Sequence, residues 1–187
     1  LDVDIMAEWL RRLGGGVEST SGQLVIDVPE EVGDEADYDL VRRLRASICV
    51  LGPLLARCGE AHVALPGGDN IGSRGLDMHI RGLRDLGARV RIEHGFVVAE
   101  APQGLRGATV LLEFPSVGAT ENLLTAAALA EGNSVIENVA REPEIGYVCR
   151  LLESMGAKLE GIGSSTLTVP VFQFWSVIVM PGPCHVR

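Results

Sequence analysis

The sequence predicts an α/β fold of repeated βαβαββ units in which helices pack inside strands. Three observations predict it. A helix-then-strand motif recurs three times, each copy closed by a glycine at 14, 87 and 156, a period of about 70 residues. A second, alanine-rich kind of helix alternates with the first. And 47% of the 187 residues are apolar, which supplies the core of one sizeable domain but not of two.

The elements follow in order. The first motif copy starts at Asp4, places Ile5, Trp9, Leu10 and Leu13 at helical spacing, and ends at Gly14. An acidic residue at each motif start is expected to accept from free amide N–H groups and to face the positive end of the helix dipole. The closing glycine is expected to adopt the left-handed conformation that a side chain resists. The alternating helix type begins or continues at Arg45-Ala46-Ser47 and runs to about Cys58, before a strand at His62-Val63-Ala64-Leu65. The second motif copy runs from Asp77 to Gly87. Strands at Val90-Arg91-Ile92 and Phe96-Val97-Val98 follow, joined by a turn at His94-Gly95. Gly118-Ala119-Thr120 opens the next helix, which runs through Leu129-Ala130 before the strand Ser134-Val135-Ile136-Glu137. The third copy begins at Glu144-Ile145 and closes at Gly156. This gives about two and a half copies, and each unit must bury its apolar face against its siblings.

Composition excludes several function classes. A net charge of −9 argues against a surface that tracks nucleic-acid phosphates. Fifteen of the sixteen basic residues are arginine, leaving Lys158 as the only candidate amine. The four cysteines, Cys49, Cys58, Cys149 and Cys184, have no metal-ligand spacing and read as reduced thiols of a cytoplasmic protein. No apolar run approaches the roughly 20 residues of a membrane-spanning helix. The start, Leu1-Asp2-Val3-Asp4, lacks both a signal peptide and an initiator Met, so the chain is expected to begin mid-protein. No metal and no cofactor are expected.

The stretch 65–79 is the most informative. Leu65-Pro66-Gly67-Gly68-Asp69-Asn70-Ile71-Gly72-Ser73-Arg74-Gly75-Leu76-Asp77-Met78-His79 joins a strand to a helix through a glycine-rich loop whose amides can approach an anion. Arg74 stands where the loop enters the helix, positioned to fork onto phosphate or carboxylate, and Asp69 rides at the crest. The same spacing also suits an ordinary turn with a solvated Asp and Arg. Arg45, within Arg42-Arg43-Leu44-Arg45, equally suits a solvated helix face. His79 reads as packed rather than ligating, and His62 and His94 as structural. In Phe114-Pro115-Ser116-Val117-Gly118-Ala119-Thr120 a strand again enters a helix, with Ser116 as the candidate N-cap.

These blocks resemble the enolpyruvyl transferase family, in its nucleotide-sugar branch. The matching stretches are Arg45-Ala46-Ser47 with Leu51-Gly52-Pro53-Leu54, the loop Leu65 through His79, Ser116-Val117-Gly118-Ala119-Thr120, and Ala140-Arg141-Glu142-Pro143-Glu144. The resemblance extends over residues 1–169. It implies an inside-out α/β barrel, one domain of a two-domain fold with the site in the cleft between. It implies transfer of an enolpyruvyl group from phosphoenolpyruvate to UDP-N-acetylglucosamine in peptidoglycan synthesis, with no nucleic-acid or membrane partner. Under it, Arg45 binds phosphoenolpyruvate, and Asp69 fills a mobile-loop position, usually Cys, that acts as general acid or assists product release. Arg74, Gly75, Leu76, Asp77 and Met78 hold the UDP-sugar, as do Phe114, Pro115, Ser116 and Val117, although the family often has Lys at Phe114. Asp in place of Cys implies insensitivity to fosfomycin, which alkylates the thiol. An upstream Lys-Asn pair and the second domain are expected to lie outside this chain, leaving the fragment inactive alone, at most a weak UDP-sugar binder. Residues 170–187, with the apolar run Val171-Phe172-Gln173-Phe174-Trp175-Ser176-Val177-Ile178-Val179-Met180, read as a divergent, non-native tail.

Overall fold

The computed structural model describes residues 2–20, 23–29, 32, 33, 35, 36, 45–65, 76–171 and 184–186. Two βαβαββ units follow one another. In the first, β3 (Glu35–Ala36) leads to a 3-10 turn (Arg45–Val50) that continues into α2 (Leu51–Cys58) and β4 (Glu60–Ala64). Then come α3 (Asp77–Asp85), β5 (Arg89–Glu93) and β6 (Phe96–Glu100). The sheet order is β3-β4-β6-β5, with β3 parallel to β4 and the other pairs antiparallel. The second unit repeats the plan: β7 (Thr109–Leu111), α4 (Val117–Ala127), β8 (Ser134–Glu137), α5 (Pro143–Ser154) and β9 (Thr166–Val169). Here β7 is parallel to β8, and β8 is antiparallel to β9. The strand corresponding to β5 shrinks to one bridge, Glu160 with Thr168. Ahead of both stands a half unit, α1 (Asp2–Arg12) with the hairpin β1 (Gly16–Thr20) and β2 (Gln23–Asp27). A strand β10 (Cys184–Val186), inside the stretch read as a divergent tail, pairs antiparallel with β2.

The expected arrangement of helices inside strands holds, and composition explains it. In α4, Ala119, Thr120, Asn122, Leu123, Leu124, Ala126 and Ala127 are buried, and the stripe Val117, Glu121 and Thr125 is half-buried, so no face is fully exposed. It packs against the 3-10 turn, α2, α3 and α5, with β8 behind it. Small residues permit that approach: a Cβ on Gly52 of α2 would collide with the backbone carbonyl of Asn122, and one on Gly82 of α3 with the Leu123 side chain. Leu123 and Leu124 are fully buried, each worth about 2 kcal/mol relative to exposure. Outward-facing strand positions, such as Ile92 and Leu111, remain exposed.

Each motif helix ends as expected. Gly14, Gly87 and Gly156 have φ of 96°, 93° and 103°. The helix starts differ from expectation. The residue capping α3 is Leu76, with no side-chain bond, and that capping α5 is Glu142, whose carboxylate accepts from the Arg141 N–H instead. Asp77 and Glu144 lie inside their first turns, where they favour the dipole without capping. The helix from Arg45 also departs from expectation, because its first six residues wind as 3-10.

Candidate functional site

In each parallel pair the helix runs back against the strands, so helix N-termini gather beyond the strands' carboxyl ends. Three elements meet near that end: the 3-10 turn Arg45–Val50, α3 from Asp77 and α4 from Val117. The contact is close: a Cβ on Gly118, in the first turn of α4, would stand 3.7 Å from Cys49 Sγ on the 3-10 turn and 3.7 Å from His79 Cε1 on α3. Arg81 of α3 bonds Glu113 at 3.2 Å, beside Phe114. An anion at this end would meet aligned peptide dipoles and free amides.

Of the predicted site residues, Asp69, Arg74 and Gly75 lie outside the described residues, and so does the side chain of Arg45. Leu76 and Met78 are half-buried against the core, and Asp77 is exposed. Phe114 is 49% exposed, Pro115 is exposed, and Val117 packs against the core. Ser116 is the N-cap of α4, as expected: its backbone is extended, and its Oγ accepts from the Ala119 N–H at 3.4 Å. Its carbonyl accepts from Thr120 Oγ1 at 2.7 Å, and Thr120 Oγ1 in turn accepts from the Ala140 N–H at 3.1 Å. That chain of bonds fixes the α4 entrance to the segment leading into α5.

Sequence reading missed the polar cluster behind this entrance. Asn122, fully buried, accepts from the Gly52 N–H at 2.5 Å and faces His79 Nδ1 at 2.9 Å. Burial pushes His79 down to about 4, so the ring is neutral. Burial, then the charge of Glu121 and a hydrogen bond to it, push the Cys49 thiol up to about 12. Glu121 is itself raised, first by burial and also by Glu144, against the lowering bond from Cys49. A lone Asn inside an apolar helix was the available signal, but its partners lie 43 and 70 residues away in sequence. Among the described residues no cluster of His, Cys, Asp or Glu could hold a metal, and no helix is long and apolar enough to cross a membrane.

Comparisons with known proteins point one way. A family model described as EPSP synthase (3-phosphoshikimate 1-carboxyvinyltransferase) matches residues 1–173. A protein of Mycobacterium leprae named UDP-N-acetylglucosamine 1-carboxyvinyltransferase is 59% identical over 169 residues, 90% of this chain. One of the same name from Corynebacterium jeikeium is 58% identical over 168 residues. The chain spans about 40% of the length of these curated relatives. Among solved structures, the enolpyruvyl transferase NikO from Streptomyces tendae matches with a TM-score of 0.75 at 19% identity, over 89% of this chain and 39% of that one. EPSP synthase from Acinetobacter baumannii matches at 0.67 and 20%, over 89% of this chain and 38% of that one. At those identities the likeness is one of fold.

Proposed function

Because the chain belongs to the EPSP synthase (3-phosphoshikimate 1-carboxyvinyltransferase) family, we propose that it forms part of an enzyme transferring the enolpyruvyl group of phosphoenolpyruvate to UDP-N-acetylglucosamine. The observation that carries this reading is the meeting of the first turn of α4 with the 3-10 turn and the first turn of α3, Gly118 lying against Cys49 and His79. The names of the relatives at 58–59% identity support the choice of acceptor.

In this reading Arg45 and Arg74 neutralise phosphoenolpyruvate and hold its carboxylate and phosphate in register. The sugar hydroxyl adds to the carbon bearing the phosphate while a proton is delivered to the methylene carbon. Loss of phosphate and of a methyl proton then leaves the enolpyruvyl ether. Asp69 is the proton donor in our assignment, held neutral in a closed complex by desolvation and by the substrate's negative charge. Arg74 through Met78 and Phe114 through Val117 hold the nucleotide sugar.

A second reading is a nucleotide-sugar binder without turnover. Phosphate release separates the two. The 187 residues alone are expected to give none, and adding the remaining portion of a close relative is expected to restore it. Failure of that complementation, with UDP-N-acetylglucosamine still bound, decides for the binder. Tighter binding of shikimate 3-phosphate than of UDP-N-acetylglucosamine overturns the choice of acceptor.

A further inference from the structure

Strand β10 enters the fold at a place the repeat defines. In the unit that runs from β3 to β6, the hairpin strand β6 lies between β5 and the central strand β4. In the next unit β9 likewise pairs with the central strand β8. The hairpin β1-β2 matches β5-β6: each has five opposed pairs and starts two residues after its motif glycine, Gly14 or Gly87. In this match β2 corresponds to β6. Among the described residues the unit of α1, β1 and β2 has no central strand of its own, and β10 lies on the side of β2 that β4 covers on β6. Direction and register agree as well. β10 runs antiparallel to β2, as β4 does to β6 and β8 to β9. Cys184, His185 and Val186 stand opposite Ile26, Val25 and Leu24. Those three correspond to Ala99, Val98 and Val97 of β6, which pair with Ala61, His62 and Val63 of β4. The matching pairs of the next unit join Ser134, Val135 and Ile136 of β8 to β9.

The residue types repeat with the register. Each triplet places a small residue first and a branched apolar residue last, and Ala61-His62-Val63 and Cys184-His185-Val186 share their last two residues. In β4 and β8 the first and last of the three are buried and the middle one is half-buried. A slip of one residue would reverse that alternation, and β10 pairs without one. We infer that Cys184–Val186 is a surrogate central strand, which fills a strand-accepting edge on β2 suited to an extended segment of this pattern. Backbone N–H and C=O groups along such an edge recruit a further strand from any source, so the chain carries its own competitor for the slot. Resting on the proposed reading, a strand brought by the rest of a full-length relative enters only as β10 leaves. β10 is then an autoinhibitory contact, set against assembly and relieved by displacement.

Two measurements test the register without that reading. Hydrogen exchange of the unaltered chain is expected to show protected amides within Cys184–Val186, and full exchange at all three overturns the inference. In Ile26→Cys the new thiol stands opposite Cys184. Oxidised glutathione is expected to link this pair about tenfold faster than it links Cys184 to Leu24→Cys or Val25→Cys, as read by mass spectrometry of the joined peptides. Equal rates, or faster linkage to either of the other two, overturn the surrogate register. Displacement is tested by adding the portion of a close relative that this chain does not span. The Ile26→Cys chain is expected to release phosphate from phosphoenolpyruvate and UDP-N-acetylglucosamine when reduced, and to lose that release when linked. His185→Pro, which weakens strand pairing, is expected to assemble faster than the unaltered chain. Equal release from linked and reduced chains overturns the displacement and leaves the proposed function standing. No release from the reduced or the unaltered chain overturns the proposed function and the displacement with it, and the linkage preference still decides the register.

Discussion

Gly52 and Gly146 both occupy α-helices, yet their surroundings give alanine opposite effects. Alanine gains about 1 kcal/mol over glycine in a helix interior when nothing obstructs it. At Gly146 the nearest obstacle to a new Cβ is the Arg150 guanidinium at 3.7 Å, the movable end of a long side chain. At Gly52 the obstacle is the Asn122 backbone, held in the middle of α4. Gly146→Ala is therefore expected to stabilise by roughly 0.5–1 kcal/mol, whereas Gly52→Ala destabilises by about 2 kcal/mol or more, overpacking outweighing propensity. Urea unfolding of the two variants checks both signs, and stabilisation by Gly52→Ala would contradict the close approach of α2 to α4. The sequence offered Gly52 only as part of a matching block. Nothing local reveals that it abuts a helix 70 residues onward.

At the scale of elements, the helix ends were legible because their determinants are local. Each motif helix closes with the same pair of bonds. The Gly14, Gly87 and Gly156 N–H groups donate to the carbonyls of Arg11, Arg84 and Glu153. The next residues, Gly15, Ala88 and Ala157, reach back to Leu10, Leu83 and Leu152. This six-residue closure requires a left-handed residue, and glycine supplies it without a Cβ penalty. At Gly87 a Cβ would meet nothing within 4 Å, so Gly87→Ala isolates the backbone cost. That variant is expected to lose about 1 kcal/mol in urea unfolding, with an unchanged denaturant slope. A loss near zero would mean that the turn rearranges. The helix starts were less legible. An acid near a start satisfies the dipole from several positions, so its type does not fix its place, and Asp77 and Glu144 sit inside the first turn. The 3-10 turn Arg45–Val50 packs against α4, a contact no window of sequence contains. The strand reduced to the Glu160–Thr168 bridge is too short to carry a readable period.

For the molecule as a whole, the repeat and the burial of α4 followed from glycine spacing and alanine content, while the polar cluster inside the helix layer followed from neither. That cluster bounds the pH range of stability. His79 is lowered from 6.5 to about 4 in the fold, so between those values the unfolded chain binds the extra proton and stability falls as pH falls. From pH 7 to pH 5 the linkage amounts to about 2 kcal/mol. Glu121, raised in the fold, has the opposite sign: its neutral form is favoured by folding, so it offsets part of the loss. Cys49 bounds the other side. Raised from 9.0 to about 12, it stays a thiol in the fold while the unfolded chain ionises, so stability falls as pH rises through that interval. By pH 10 this costs about 1.4 kcal/mol. The net charge of −9 grows more negative over the same range, and self-repulsion adds to the loss. Unfolding free energy is therefore expected to peak between pH 7 and 9. Urea midpoints at pH 5, 7 and 10 test the two flanks separately. Cys49→Ala is expected to make the alkaline flank shallower, the buried Cys149 thiol, also raised, keeping part of it, and His79→Gln is expected to flatten the acid flank. A variant that lowers stability equally at all three values would show its residue to be packing, and would detach that side chain from the pH dependence.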